Sequence, residues 1–259
     1  MYVKKMNGRY IRGLRVTDIS RDDTYISKLP IVRHLERMDE LKFHEKATFF
    51  VGENGSGKST LLEAIAVKFG FNAEGGSLNF TFSTNETHSG LFDHIRLIRS
   101  FERPDDGFFL RAESFYNAAT YIDRLDEMSA ASPKIIESYG GKSLHKQSHG
   151  ESFFSLVVNR FEGNVLYILD EPEAALSPMR QMSLLTLIHD LANKNSQFII
   201  ATHSPILLAY PDALIYEFNE NSIAETKYEE TEKYTITRRF IENPQRMMRY
   251  LFGCEDEER

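Results

Sequence analysis

Short apolar runs of strand length alternate with stretches whose apolar positions recur at helical spacing, most regularly in the second half of the chain. Ala47-Thr48-Phe49-Phe50-Val51 predicts a buried strand, and Leu61 to Val67 predicts a helix leaving the glycine-rich segment after it. Phe153 to Phe161 predicts a further helix, Val165 to Leu169 a buried strand, and Met179 to Leu191 a helix with Met182, Leu185 and Ile188 at core spacing. Gln197 to Thr202 and Ala213 to Phe218 read as further strands, and Asn219-Glu220-Asn221-Ser222 turns the second into a final hairpin. Such alternation is what a mainly parallel sheet requires. Helical spacing from Thr235 to Phe252, broken at Asn243-Pro244, predicts a C-terminal helical tail over about residues 235–259.

Between these blocks the pattern changes. Tyr10 to Val16 and, briefly, Leu41 to Phe43 alternate as strands, which places them at the sheet edge leading into the glycine-rich segment. After the break at Gly75-Gly76, Leu78, Phe80 and Phe82 alternate and His94 to Ser100 reads as a strand. Pro104-Asp105-Asp106-Gly107 predicts a turn between that strand and Phe108 to Ala112. Together these make an antiparallel β subdomain. Tyr116 to Met128 has helical spacing, and about residues 113–147 form a mainly helical insertion ending in Tyr139-Gly140-Gly141-Lys142-Ser143. There is no heptad run and no internal repeat.

Composition narrows the class without naming a chemistry. A chain of 259 residues, 41% of them hydrophobic, suits one large α/β domain carrying a subdomain. Its longest apolar runs fall far short of the ~20 residues of a membrane helix. No signal-peptide apolar region follows Met1-Tyr2-Val3-Lys4-Lys5, so a cytoplasmic location without membrane insertion is expected. Cys254 is alone, which leaves no internal disulfide and no cysteine-built metal site. The net charge of −7 speaks against a uniformly basic nucleic-acid binder. Lys4, Lys5, Arg9, Arg12 and Arg15 nevertheless make a basic start, against an acidic end at Glu255-Asp256-Glu257-Glu258. Both read first as solvated surface, with a phosphate-binding N-terminal arm as the sharper alternative.

The candidate chemistry begins at Gly52-Glu53-Asn54-Gly55-Ser56-Gly57-Lys58-Ser59-Thr60, a full match to the pattern G-x-x-x-x-G-K-[ST]. Glycines let the backbone curl so that its N–H groups point inward, and the following helix adds the positive end of its dipole. Lys58 would reach the β- and γ-phosphates of a nucleoside triphosphate, and Ser59 would ligate Mg²⁺. The base should rest on residues upstream of this loop, where Tyr10, Tyr25 and Arg33 are candidates. A second site element is Tyr167-Ile168-Leu169-Asp170-Glu171, which puts two carboxylates at the carboxyl end of a buried strand, where ligands sit in open α/β sheets. Asp170 would hold Mg²⁺ and Glu171 would polarise the attacking water. His203 ends another predicted strand.

With Leu169-Asp170-Glu171-Pro172-Glu173, Ala174-Ala175-Leu176-Ser177 and Ala201-Thr202-His203-Ser204, the loop at 52–60 resembles the motifs of an ABC-type ATPase. The resemblance implies a P-loop ATPase head over residues 1–259, binding ATP and Mg²⁺, with Asp170 and Glu171 as the Walker B pair. It further implies that Ala174 to Ser177 is a dimer-facing loop and that His203 contacts the γ-phosphate. The family's signature stretch would fall at Ser148-His149-Gly150-Glu151-Ser152, where Ser148 and Gly150 keep the hydroxyl and the close backbone approach. His149 and Glu151 depart from the usual small and neutral residues. The family's glutamine loop also lacks its glutamine, with Glu113, Ser114 and Asn117 the nearest polar residues.

Glu53-Asn54-Gly55 and Asp170-Glu171-Pro172-Glu173 look more like the branch related to Rad50, SMC and RecF proteins than like transporter subunits. A long coiled coil does not fit, since only about ninety residues separate the loop from Ser148. The resemblance implies an ATP-sandwiched homodimer joining Lys58 and Ser59 of one subunit to Ser148 and Gly150 of the other. Its setting would be DNA maintenance or genome defence, beside an effector such as a nuclease or toxin, with direct nucleic-acid contact left open. The alternative is the nucleotide-binding subunit of an ABC transporter. A GTPase or kinase fits less well, because Asn193-Lys194-Asn195-Ser196 lacks the aspartate of a guanine-reading motif.

Overall fold

Strand β3, Ala47–Gly52, has every residue buried and lies at the middle of the molecule. A computed structural model of the chain describes residues 9–17, 26, 30–78, 89–111, 155, 157–220 and 222–253. In chain order the elements before and around β3 are β1 (Ile11–Val16), α1 (Pro30–Glu36), β2 (Leu41–Lys42), β3 and α2 (Lys58–Phe69). They are followed by β4 (Gly76–Ser77), β5 (Ile95–Arg99), β6 (Asp106–Arg111) and β7 (Val165–Asp170). The last part runs α3 (Pro178–Ala192), β8 (Gln197–Ala201), α4 (Pro205–Leu208), β9 (Leu214–Phe218), β10 (Ile223–Thr226), α5 (Glu232–Glu242) and α6 (Pro244–Phe252).

A seven-stranded sheet runs in the order β10-β9-β3-β8-β7-β6-β4. β9, β3, β8, β7 and β6 are parallel to their neighbours, and antiparallel β10 and β4 close the two edges. The period-two geometry of a strand sends alternate side chains to opposite faces, and both faces are apolar here. Phe50, Leu166, Ile168 and Ile199 join the core under α1 and α2, whereas Phe49, Val51, Tyr167, Leu169, Phe198 and Ile200 join the core under α3 and α4. Tyr167 stacks between Phe161 and Phe198, with ring centroids 4.2 and 4.8 Å away. Its hydroxyl donates to the Glu162 carbonyl, so the ring is buried without stranding its polar end.

Three expectations change. β1 and β2 do not extend the main sheet; with β5 they form a separate antiparallel sheet, in the order β2-β1-β5. The Pro104–Gly107 segment is therefore no hairpin turn between β5 and the following strand. It carries the chain from one sheet to the other, and Asp106 and Gly107 already belong to β6. On α3 the buried residues are Leu184, Ile188, Leu191 and Ala192, while Met182 is exposed. Helix α1 was not anticipated at all. The predicted strand through Phe80 and Phe82, the insertion at 113–147 with its helix Tyr116 to Met128, and the two charged chain ends lie outside the described residues.

Gln197 fastens the two sheets together. Its side-chain oxygen accepts from the N–H groups of Tyr10 (2.9 Å) and Ile11 (3.0 Å), and its amide nitrogen donates to the carbonyls of Ile11 (2.8 Å) and His44 (2.9 Å). Four backbone groups thus depend on one fully buried amide. Gln197→Ala is expected to destabilise the protein by about 3 kcal/mol or more, because each buried group left unpaired costs roughly 1–3 kcal/mol. The midpoint of urea unfolding checks this.

At the far end, α5 and α6 bury none of their residues, and Ile241, Leu251 and Phe252 are among their exposed apolar side chains. Among the described residues no helix is long and apolar enough to cross a membrane.

Candidate functional site

The carboxyl ends of β3, β8 and β7 lie side by side, since β8 is the strand between the other two. The glycine-rich loop leaves β3, the two acids end β7, and Thr202 and His203 leave β8 between them. Register sets the level: Asp170 pairs with Ala201, which pairs with Phe50. Residues more than a hundred positions apart are therefore brought to one rim by sheet order alone.

Two glycines in the loop cannot be replaced locally. Gly52 has φ 150°, and a Cβ there would stand 2.2 Å from the Phe218 carbonyl oxygen on β9. Gly57 has φ 93°, in the left-handed region, and a Cβ would press on the Ile31 side chain of α1 at 2.9 Å. Helix α2 then starts at Lys58 without a side-chain cap, so its dipole and first N–H groups face the loop's concavity. Asn54, Gly55, Ser56, Gly57, Lys58, Ser59, Thr60 and Glu171 line one cavity of about 320 Å³ together with Pro30 and Ile31. Gly52 lies beneath it, at the end of β3.

Within that cavity the polar groups are already engaged with one another. Lys58 Nζ donates to the carbonyls of Gly52 (3.0 Å) and Glu53 (2.7 Å) and to Ser56 Oγ (3.3 Å). Burial holds its pKa below the usual lysine value, against the opposing pull of Glu171 and Asp170. Ser59 Oγ donates to Asp170 Oδ1 at 2.9 Å. A hydroxyl and a carboxylate oxygen in contact at a helix start are hard oxygen donors of the kind Mg²⁺ takes, so Ser59 and Asp170 fit that ion.

Glu171 has φ 50°, an uncommon backbone conformation for a glutamate, and its N–H donates to the Ala201 carbonyl. The turn lifts its carboxylate out of the sheet, where Oε1 lies 3.4 Å from His203 Nε2. That separation does not make a hydrogen bond, and the buried His203 nitrogen has no other partner among the described residues. Burial first, and then Lys58, keep His203 below the ordinary histidine pKa, so the ring is neutral at pH 7. Glu173, half-buried, accepts from the His203 N–H, and desolvation raises its pKa.

Two of these features escaped the sequence. Arg111 ends β6 in register with Asp170, pairs with Glu63 at 2.6 Å and approaches Asp170 Oδ2 at 3.7 Å. Glu63 was visible as the one acid among Leu61, Leu62, Ala64, Ile65 and Ala66, whereas Arg111 gains its place only through strand pairing. Glu173 was legible as a motif residue, without its role under His203. Of the base-binding candidates, Tyr10 is buried away from the site with its hydroxyl on the Asn195 carbonyl, and Arg33 is exposed on α1 without lining the cavity. Upstream of the loop, Pro30 and Ile31 are the residues that line the cavity. Tyr25, Ser148, Gly150 and the candidates Glu113, Ser114 and Asn117 lie outside the described residues.

Residues 32–148 match the AAA domain family and residues 143–208 match the AAA ATPase domain family. The chain is 26% identical over 171 residues to the ABC transporter G family member STR2 of Medicago truncatula, covering 61% of this chain and 23% of that protein. It is 25% identical over 190 residues to the macrolide export ATP-binding/permease protein MacB of Neisseria meningitidis, covering 66% and 28% respectively. The chain thus spans about a quarter of the length of these curated relatives. Among solved structures it is similar to an SMC head bound to the C-winged helix domain of ScpA, at 14% identity and a TM-score of 0.48, covering 85% of this chain and 99% of that one.

Proposed function

This chain is an ATPase of the ABC/AAA type, and from that premise we propose that it is an ATP-gated dimer switch that binds and hydrolyses ATP with Mg²⁺. The observation that carries the reading is the joint between Ser59 and Asp170, which brings the loop of β3 and the acid of β7 within one hydrogen bond of each other beside Lys58, Glu171 and His203. A lysine, two carboxylates and a neutral histidine gathered at one rim of the sheet are what a functional site requires and packing alone does not.

In this reading the loop N–H groups and the first turn of α2 hold the phosphates, and Lys58 leaves its carbonyl partners to neutralise the β- and γ-phosphates. Ser59 and Asp170 hold Mg²⁺, which offsets charge on the phosphate oxygens. Glu171, which lines the same cavity, accepts a proton from the attacking water. His203, neutral with one nitrogen unsatisfied, hydrogen-bonds the γ-phosphate. Ser148 and Gly150 of a second copy close the site, so that binding joins two subunits and hydrolysis parts them. Its setting is DNA maintenance or genome defence through an effector protein.

A second reading, the nucleotide-binding subunit of an ABC transporter, is favoured by the curated relatives, both of which are named for transport or export. Sedimentation and turnover with Mg-ATP, with and without duplex DNA, separate the two. The switch predicts an ATP-dependent dimer and a several-fold rise in turnover with DNA at low salt that fades at high salt. A chain that stays monomeric with ATP, or copurifies with an integral-membrane protein, sinks the first reading.

A further inference from the structure

Ser59 and Glu63 stand one turn apart on the same face of α2, and each meets a side chain from the end of a different strand. Ser59 Oγ donates to Asp170 Oδ1 of β7 at 2.9 Å, and Arg111 Nη1 of β6 donates to Glu63 Oε2 at 2.6 Å. The two strands are in register at this point, with Arg111 opposite Asp170. Arg111 Nε closes the circuit, 3.7 Å from Asp170 Oδ2. Four side chains and one turn of helix thus form a ring. The two oxygens that fit Mg²⁺ lie on one side of it, and a pair of arginine and glutamate lies on the other.

The far side of the ring is tied down twice. Glu63 Oε1 accepts from the Ser89 N–H at 2.9 Å, so both oxygens of that carboxylate are used. The side chains of Arg111, Glu63 and Asp170 are 23%, 12% and 9% exposed, which leaves these contacts less screened than surface ion pairs. A guanidinium is a rigid planar fork, so fixing one of its nitrogens on Glu63 also fixes where Nε points. Neutralising Glu63 asks nothing of Nε, yet here it faces the second oxygen of the carboxylate that holds Ser59. The terminal torsion of an aspartate is soft, so the plane of its carboxylate is set by what its oxygens meet.

We propose that Arg111 is a positioning residue for the metal: it holds Asp170 by Oδ2 and so keeps Oδ1 beside Ser59 to take Mg²⁺, with Glu63 as its anchor on α2. This rests on the Mg-ATP reading of the site. On charge alone the guanidinium repels the ion, and removing it would strengthen metal binding. Orientation predicts a loss instead, so the two effects differ in sign.

The test is calorimetric titration of ATP, with Mg²⁺ and with EDTA, into the wild-type protein, Arg111→Met, and Glu63→Gln combined with Arg111→Met. The double variant leaves neither charge unpaired and so decides the matter where the single one is too unstable, as thermal unfolding will report. Both variants are expected to lose about tenfold in affinity for ATP with Mg²⁺, the lower end of what losing the partner of a metal ligand costs. In EDTA they should stay within about threefold of wild type, because the loop and Lys58 are untouched. If wild type binds ATP more tightly with Mg²⁺ and the variants keep or exceed that gain, the assignment falls while the ATP reading stands. Equal losses with Mg²⁺ and in EDTA make Arg111 a prop of the fold and overturn its role toward the metal. A wild-type protein that binds no ATP, or binds it equally with and without Mg²⁺, overturns the reading of the site itself.

Discussion

Glu171→Gln is expected to lower ATP turnover by about 10²–10⁴-fold, the range general-base catalysis commonly supplies, while ATP binding persists. The amide has the size of the carboxylate and reaches the same place from the same left-handed backbone, but it has no basic oxygen to take a proton from water. His203 Nε2, 3.4 Å away, can still meet a γ-phosphate. In the proposed switch, closure of the dimer needs bound ATP and opening needs its hydrolysis, so the variant should accumulate as an ATP-dependent dimer. Phosphate release and sedimentation velocity report the two halves of this expectation. Wild-type turnover in the variant would remove Glu171 from the chemistry, and a monomer in saturating ATP would remove the sandwich.

Lys58→Ala acts one step earlier. The ammonium is buried and held by the carbonyls of Gly52 and Glu53 and by Ser56 Oγ, so without phosphate it props the loop from inside. Removing it takes away the one side-chain cation inside the loop and leaves a buried carbonyl at Gly52 without that partner. ATP affinity is expected to fall by about a hundredfold or more, as for loss of a buried charged partner worth roughly 3 kcal/mol. Folding stability should change by only about 1 kcal/mol. Titration calorimetry with thermal unfolding separates these effects, and undiminished ATP binding would overturn the assignment of the loop.

How much of this could be read from the residues follows from how local each feature is. The strands at 47–51, 165–169 and 197–202 are built around apolar runs, and burial on both faces leaves them no other reading. The phosphate loop is legible for the same reason, since its glycines serve positions within the loop and its lysine starts the adjoining helix. Partnership across the sheet is another matter. Tyr10 to Val16 has the pattern of a strand whichever sheet receives it; pairing with β2 and β5 puts it in the smaller one, and Gln197, distant in sequence, ties it to the larger. On α3, positions 182, 185 and 188 and positions 184, 188 and 191 are both helical sets. Sheet packing selects the second and leaves Met182 in solvent. Arg111 looks like the last residue of an ordinary strand until register puts it opposite Asp170.

The clamp formed by Gln197 also fixes a schedule for the growing chain. Tyr10 and Gln197 are 187 residues apart, and at about 5–20 residues per second a ribosome needs roughly 10–40 s to make the stretch between them. Throughout that interval the N-terminal strand lacks its anchor. β3 lacks both of its sheet neighbours as well, because β8 and β9 come later in the sequence. An emerging apolar strand with two open edges is a target for mispairing, and the nascent protein has to be kept from it by something other than its own fold. Phe218, whose backbone stands against Gly52 at the foot of the phosphate loop, also belongs to the last quarter of the sequence, so β3 and the loop gain that neighbour late.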